Sequence, residues 1–254
     1  ALRTRSSTTR WWGRSSSGEQ PLLELHDLHA YYGRSHVLQG VSLDVGRGEG
    51  VGLVGHNGVG KTTTLRSVMG LGPRVTGRVV FSGKDLRGPS HRRARLGIGY
   101  VPDAEAIFPD MTVEDNIRVG GMVERGNERR SVDLAYELFP ILAARRRQLA
   151  GTLSGGEQKA LTLARGLALK PRLVMVDEPS EGLMPKNVDL LADALRKALR
   201  EGIGVLVVDA SFQLLKTVCT RLYVMRQGRI TGRHRLDEFQ TADRLVATYL
   251  KAEG

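Results

Sequence analysis

Apolar positions along the chain fall into two rhythms. Near-strict alternation runs through 22–33 and 36–45, the pattern of strands with one buried face. Residues 50–55, 98–102, 172–179 and 204–208 are instead short apolar runs, and 77–83 reads as a further strand. A strand that is apolar throughout is covered on both faces, as in a parallel sheet flanked by helices. Helical spacing begins at Lys61 and dominates 112–169, with breaks at 120–121, Pro140 and 154–156. It returns at 187–201 and closes the chain at 236–252, while 222–230 reads as a hairpin. Strands alternating with helices predict an α/β fold with a mostly parallel sheet, preceded by an antiparallel β subdomain. The helical block at about 112–169 is inserted between strands and is expected to form its own subdomain. No internal repeat is visible.

Composition narrows the picture. The 254 residues carry 38 Lys and Arg against 27 Asp and Glu, a net charge of +11. Such a balance suits anionic partners: nucleotides, nucleic acid or an anionic membrane surface. Cys219 is the single cysteine, so no internal disulfide can form and a reducing compartment is expected. No apolar run approaches the roughly 18 residues of a spanning helix. Residues 1–20 hold Arg3, Arg5, Arg10 and Arg14 among Ser and Thr with one acid, Glu19. They read as a disordered tail, with a targeting peptide as the rival reading. The folded domain is expected over 21–254.

Three stretches carry candidate chemistry. "GHNGVGKT" (55–62) fits G-x-x-x-x-G-K-[ST], with an apolar strand before it and a helix after it. Gly55, Gly58 and Gly60 let backbone N–H groups close around a phosphate, with Asn57 in the same loop. Lys61 reaches the β- and γ-phosphates, the Thr62 hydroxyl suits Mg²⁺, and Thr63 follows at the helix start. "LVMVDEP" (173–179) puts Asp177 and Glu178 at the end of a buried strand. Asp177 would face the metal, and Glu178 would polarise an attacking water as catalytic base. "LSGGEQ" (153–158) has Ser154 at an N-cap and Glu157 three residues on, with Gly155 and Gly156 exposing backbone donors.

In this order and spacing the three motifs closely resemble the ATP-binding subunits of ABC transporters, over about Leu22 to Lys251. The resemblance implies a P-loop NTPase core with ATP and Mg²⁺ as cofactors. Two such subunits pair head to tail in that family. Ser154, Gly155, Gly156 and Glu157 would then act on the partner's ATP. Tyr32 matches the aromatic that stacks on adenine, with Tyr31 as runner-up and packing within the strand pair as the alternative for both. "YYGRSHVLQGVSLDV", "GIGYVPDAEAIFPDMTVEDNI" and "DEPSEGLMP" look like the subunits powering branched-chain amino-acid import, and urea or short-amide importers have similar ones.

Two positions depart from the family. Most members have Gln after the "VP" strand end, where this chain has Asp103; its carboxylate remains a good Mg²⁺ ligand. Ala210 falls where most members have a His contacting the γ-phosphate. Losing one such donor costs roughly 10²–10³ in rate. A one-residue slip would put Asp209 or Ser211 there instead. "HRRAR" (91–95) and "ARRR" (144–147) read first as solvated faces, then as lipid-headgroup contacts, and last as DNA contacts.

The expectation is a peripheral ATPase subunit at the cytoplasmic face of the inner membrane. Its expected partners are a second, related ABC ATPase subunit forming a heterodimer, two membrane-spanning permease subunits and an extracytoplasmic substrate-binding protein, with no nucleic acid. The alternatives are a urea or amide importer subunit, a weakened subunit acting mainly by binding ATP, and an ABC-type ATPase without transport.

Overall fold

The computed structural model describes residues 20–103, 107–122, 128–168, 170–244 and 247. Four strands form an antiparallel sheet in the order β2-β1-β4-β5: β1 (Leu23–Tyr32), β2 (Ser35–Val45), β4 (Arg74–Phe81) and β5 (Lys84–Asp85). Six strands form the second sheet, ordered β10-β9-β3-β8-β7-β6. These are β3 (Gly50–Val54), β6 (Ile98–Val101), β7 (Leu173–Asp177), β8 (Gly204–Val208), β9 (Arg221–Arg226) and β10 (Arg229–Arg235). The pairs among β9, β3, β8, β7 and β6 are parallel, and only β10 runs antiparallel. The helices are α1 (Lys61–Met69), α2 (Ser90–Arg95), α3 (Val113–Gly121), α4 (Glu128–Leu138), α5 (Pro140–Ala144), α6 (Gly155–Ala168), α7 (Pro185–Arg200) and α8 (Phe212–Val218).

The apolar runs have a direct cause. Successive residues of a strand face opposite ways. In β8, Val205 and Val207 enter one hydrophobic core while Leu206 and Val208 enter another. In β7, Val174 and Val176 divide from Leu173 and Met175 in the same manner. The first core lies under α3 to α8. The second joins the parallel sheet to the antiparallel one through Leu25, Leu28, Val41 and Leu43. Every residue of β3, β7 and β8 is buried.

Helices α3, α4, α5 and α6 pack on one another through Ile117, Ala135, Phe139, Leu142 and Leu161, all fully buried. The glycine pair at 120–121 ends α3, Pro140 opens α5 at its first position, and α6 starts at Gly155. Three departures from the sequence pattern have local reasons. β4 begins at Arg74, earlier than the apolar signal, because its first half is largely exposed. The hairpin extends to Arg235, since "RITGRHR" is an edge strand of polar character joined by a tight turn with positive φ at both Gln227 and Gly228. The short helices α2 and α8 carried too few periodic positions to be read. The expected closing helix is a 3₁₀ turn at Leu236–Glu238 followed by helical residues 242–244, and most of the remainder lies outside the described residues, as does the 1–19 segment.

A buried polar network fastens the two sheets where β2 and β9 meet. The Arg221 guanidinium donates to Asp44 Oδ2 (2.7 Å), the Asp44 carbonyl (2.9 Å), Glu49 Oε1 (2.7 Å) and the Tyr223 hydroxyl (2.7 Å). Tyr223 in turn donates to Asp44 Oδ1 at 2.7 Å. Burial alone would depress the Arg221 pKa, but Glu49, Tyr223 and Asp44 outweigh it and raise it. Removing one member of such a network strands buried charge, which typically costs about 3–5 kcal/mol. Arg221→Met should therefore lose about that much in urea unfolding, and Tyr223→Phe about 1 kcal/mol. A loss under about 1 kcal/mol for Arg221→Met would show that the network carries no weight in stability.

Candidate active site

The parallel strands β3, β7 and β8 end at one edge of the sheet, where α/β folds hold their ligands. Asp177 pairs with Val208 in register, and the loop after β3 lies beside them. This loop, residues 55–60, leads straight into α1. Gly60 caps α1 with φ +112°, a conformation side chains avoid, and a Cβ there would meet Leu38 Cδ2 at 2.8 Å. Asn57 and Gly58 are exposed at the crown of the loop, and Thr63 sits half-buried in the first turn of α1. The helix start leaves backbone N–H groups directed into the loop, and its dipole favours an anion there.

Lys61 is only 6 % exposed. Its Nζ donates to the carbonyls of Gly55 (2.9 Å) and His56 (3.0 Å), curling the side chain over the loop. It also stands 3.5 Å from Glu178 Oε1. The Thr62 hydroxyl donates to Asp177 Oδ1 at 3.1 Å, and the Tyr100 hydroxyl donates to Asp177 Oδ2 at 3.3 Å. Burial pushes the Asp177 carboxyl above its usual range; the Thr62 hydrogen bond opposes that, and the Glu178 charge adds to it. Burial, then the Asp177 charge, pushes the Tyr100 phenol up to about 12, so it stays a donor at neutral pH. Thr62 and Asp177 thus present a hydroxyl and a carboxylate together, the hard oxygen donors that suit Mg²⁺.

Glu178 has φ +45°, a left-handed backbone that costs an L residue roughly 1–2 kcal/mol. Its N–H donates to the Val208 carbonyl at 2.7 Å, which holds the turn as the chain leaves β7. That turn directs the carboxylate back over the loop toward Lys61. Asp103, just beyond β6, sends its carboxylate to Lys159 of α6 at 2.6 Å. Asp103, Glu178 and Glu181 each place a carboxylate oxygen within 4.8 Å of the others. The structure therefore gathers Gly55 to Thr63, Asp103, Asp177 and Glu178 at one strand edge.

The Ser154–Gly156 turn stands apart, exposed at the N-terminal end of α6. Glu157 reaches back from the third helical position to the Ser154 N–H at 3.0 Å and pairs with Arg145 at 2.9 Å. The turn's exposure leaves it open to a group from outside the chain. The two tyrosines also differ. Tyr31 stacks on His36 with centroids 4.3 Å apart and carries the Arg74 guanidinium 4.5 Å from its centroid. Tyr32 is 40 % exposed, with its hydroxyl beside Arg66.

At the tip of β8 the three neighbouring residues differ in their contacts. Asp209 is buried and accepts from Ser180 N (2.9 Å), Ser180 Oγ (2.6 Å) and Ser211 N (2.7 Å). Ser211 caps α8, its hydroxyl accepting from Leu214 N at 3.3 Å. Ala210 lies between them with its methyl exposed. Tyr100, Lys159 and the Ser180–Asp209 pair escape a sequence reading, because each acts on a partner far away along the chain. Lys159 alone had a local signal, lying one turn inside the glycine-led helix.

The family of ABC transporters matches this chain over residues 38–181. The branched-chain amino acid transport ATP-binding protein BraG of Pseudomonas aeruginosa is 36 % identical over 211 residues, covering 82 % of this chain and 91 % of that protein. The lipopolysaccharide export ATP-binding protein LptB of Escherichia coli K12 is 34 % identical over 227 residues, covering 87 % and 93 %. Among solved structures, an ATP-binding subunit of an ABC transporter superposes with a TM-score of 0.78 at 26 % identity, covering 91 % of this chain and all of that one. With a glycine loop closing on a buried lysine beside two strand-end acids, and with these relatives, the chain belongs to the ABC transporter family as an ATP-binding, ATP-hydrolysing cassette.

Proposed function

We propose that this chain is the peripheral ATPase subunit of an importer for branched-chain amino acids, held against two membrane-spanning permease subunits at the cytoplasmic face. The observation that carries the reading is the cluster of Lys61, Thr62, Asp177 and Glu178 at one strand edge, in a chain similar to BraG over most of both lengths. The likeness to LptB supports a second reading, a subunit serving lipopolysaccharide export.

In the proposed mechanism, the amides of Gly55 to Thr63 and the Lys61 ammonium hold the phosphates of ATP. Lys61 is already turned over the loop by two carbonyls, so little side-chain freedom is left to lose. Tyr32 stacks on the adenine, since its ring is exposed while Tyr31 is covered. Thr62, Asp177 and Asp103 would hold Mg²⁺ through their oxygens, and the metal, when bound, would supply charge neutralisation to the phosphates of ATP. Glu178 accepts a proton from the water that attacks the γ-phosphorus, and the bond to the bridging oxygen breaks. The exposed Ser154–Gly156 turn faces the γ-phosphate of ATP on a second subunit, its N–H groups and helix dipole meeting that charge.

The site built on this chain's own phosphate loop turns over slowly in this reading. Asp209 is consumed by Ser180 and Ser211, and Ala210 offers the γ-phosphate no donor. The partner's site, completed by the Ser154 turn of this chain, then does most of the work in a heterodimer.

Three outcomes follow. Glu178→Gln should lower this site's turnover by about 10²–10⁴-fold while ATP affinity stays within a few-fold, as binding assays and phosphate release on the purified complex would read. Ala210→His or Ala210→Gln should raise this site's own turnover by tenfold or more, toward the roughly 10²–10³ that one such donor supplies, read with the partner's site inactivated. No gain from either places the missing contact elsewhere, for instance on Ser211. With the assembled transporter in vesicles, labelled leucine uptake should survive Glu178→Gln here better than the matching change in the other subunit. Equal losses would sink the asymmetry, and ATP-dependent lipid release in place of uptake would favour the export reading.

A further inference from the structure

Lys159 lies on α6 one turn beyond the exposed Ser154–Gly156 turn. Its ammonium donates to Asp103 Oδ1 at 2.6 Å, to the Asp103 carbonyl at 3.3 Å and to the Glu178 carbonyl at 3.2 Å. One side chain thus joins three elements: the helix behind the exposed turn, the loop after β6 and the end of β7. It also lies where charge needs it. The carboxylates of Asp103, Glu178 and Glu181 crowd to within 4.8 Å, and like charges that close repel. The Glu181 carboxyl is held above its usual range by a hydrogen bond to Glu178 and by the charges of Asp103 and Glu178, with Lys159 acting the other way.

We propose that Lys159 is a positioning residue that latches α6 to Asp103 and competes with the nucleotide's metal for the Asp103 carboxylate. This rests on the reading of Asp103 as a metal ligand. An oxygen 2.6 Å from an ammonium cannot serve a cation at full strength at the same time. Ligation of metal-bound nucleotide by the Asp103 carboxylate therefore weakens its bond to Lys159. That bond is the shortest of the three that Lys159 makes to the strand edge, the other two running to the backbone carbonyls of Asp103 and Glu178. The helix that carries the Ser154 turn keeps its packing on β6 and β7 but loses this charged tie to the loop after β6. Arrival of nucleotide in one site is in this way linked to a contact one turn behind the residues that serve the other.

The effect is modest because the pair is partly open to water, with Lys159 21 % and Asp103 41 % exposed. Pairs of this exposure shift an equilibrium about two- to fivefold. The test measures ATP binding to the full chain by equilibrium titration, once with Mg²⁺ and once with EDTA. Lys159→Met should tighten binding about two- to fivefold with Mg²⁺ and leave the EDTA value unchanged. Lys159→Arg, which keeps the charge, should stay near wild type. In an Asp103→Ala background, Lys159→Met should do nothing. If Lys159→Met fails to fold, Lys159→Gln serves the same arms. An equal shift with and without Mg²⁺, or the same shift in the Asp103→Ala background, would overturn the latch and leave Lys159 merely structural. If Asp103→Ala weakens the Mg²⁺-dependent part of binding while Lys159→Met has no effect, the latch fails and the ligand reading stands. If Asp103→Ala leaves that part unchanged, the ligand reading itself fails and takes the latch with it.

Discussion

The buried ammonium of Lys61 is the constraint on which the site depends. Taking a charged amine out of water costs several kcal/mol unless something replaces the lost hydration. Here two loop carbonyls and the Glu178 carboxylate do so. The loop must therefore curl tightly enough for Gly55 and His56 to aim their carbonyls inward, which is why side-chain bulk is absent at Gly60. The strand edge must also bring an acid across from β7, two strands away in the sheet. A phosphate arriving at the loop meets a cation already desolvated and oriented, so binding pays little in rearrangement.

The core of this arrangement was legible in the sequence because it depends on local rules. Val205 to Val208 and Leu173 to Val176 are apolar at every position since alternate residues feed two cores, and that pattern survives without knowledge of neighbours. Gly55 to Thr62 is a turn and a helix start in eight consecutive residues, directly after a strand. Asp177 and Glu178 mark the point at which a buried strand must become polar. What the sequence withheld is pairing at long range. Nothing around Lys159 names Asp103 as its partner, nothing around Arg221 names Asp44 and Glu49, and Tyr100 reaches Asp177 only because β6 lies beside β7. The edge strand β10 was underestimated for another reason: an edge strand needs no apolar alternation when half of its positions face water.

Charge at the strand edge is balanced with little to spare. Asp103, Asp177, Glu178 and Glu181 supply the acids, and Lys61 and Lys159 are the cations bonded among them. Each cation holds a carboxylate that the proposed chemistry needs elsewhere: Lys61 holds Glu178, and Lys159 holds Asp103. A nucleotide with its metal brings both signs of charge at once, so it can release both carboxylates without leaving either lysine bare. Free phosphate would satisfy Lys61 and do nothing for Asp103. Metal without nucleotide would compete for Asp103 and leave Lys61 paired as before. Under the proposed roles the arrangement favours the complete pair over either component, through charge balance alone.

The end of β8 is shaped by structural needs. Asp209 must be satisfied because it is buried, and three donors from Ser180 and Ser211 do this. These bonds fix the segment after Glu178 to the tip of the neighbouring strand, which steadies the strained turn at Glu178. They also commit Asp209 to a structural role, and capping α8 occupies a lone pair of Ser211. Position 210 is left as the free tip of the strand, and there the chain has a methyl group. A side chain at this point touches nothing that the fold requires. Alanine there leaves the frame around it intact, which is why the proposed slow turnover of this site carries no cost to the fold.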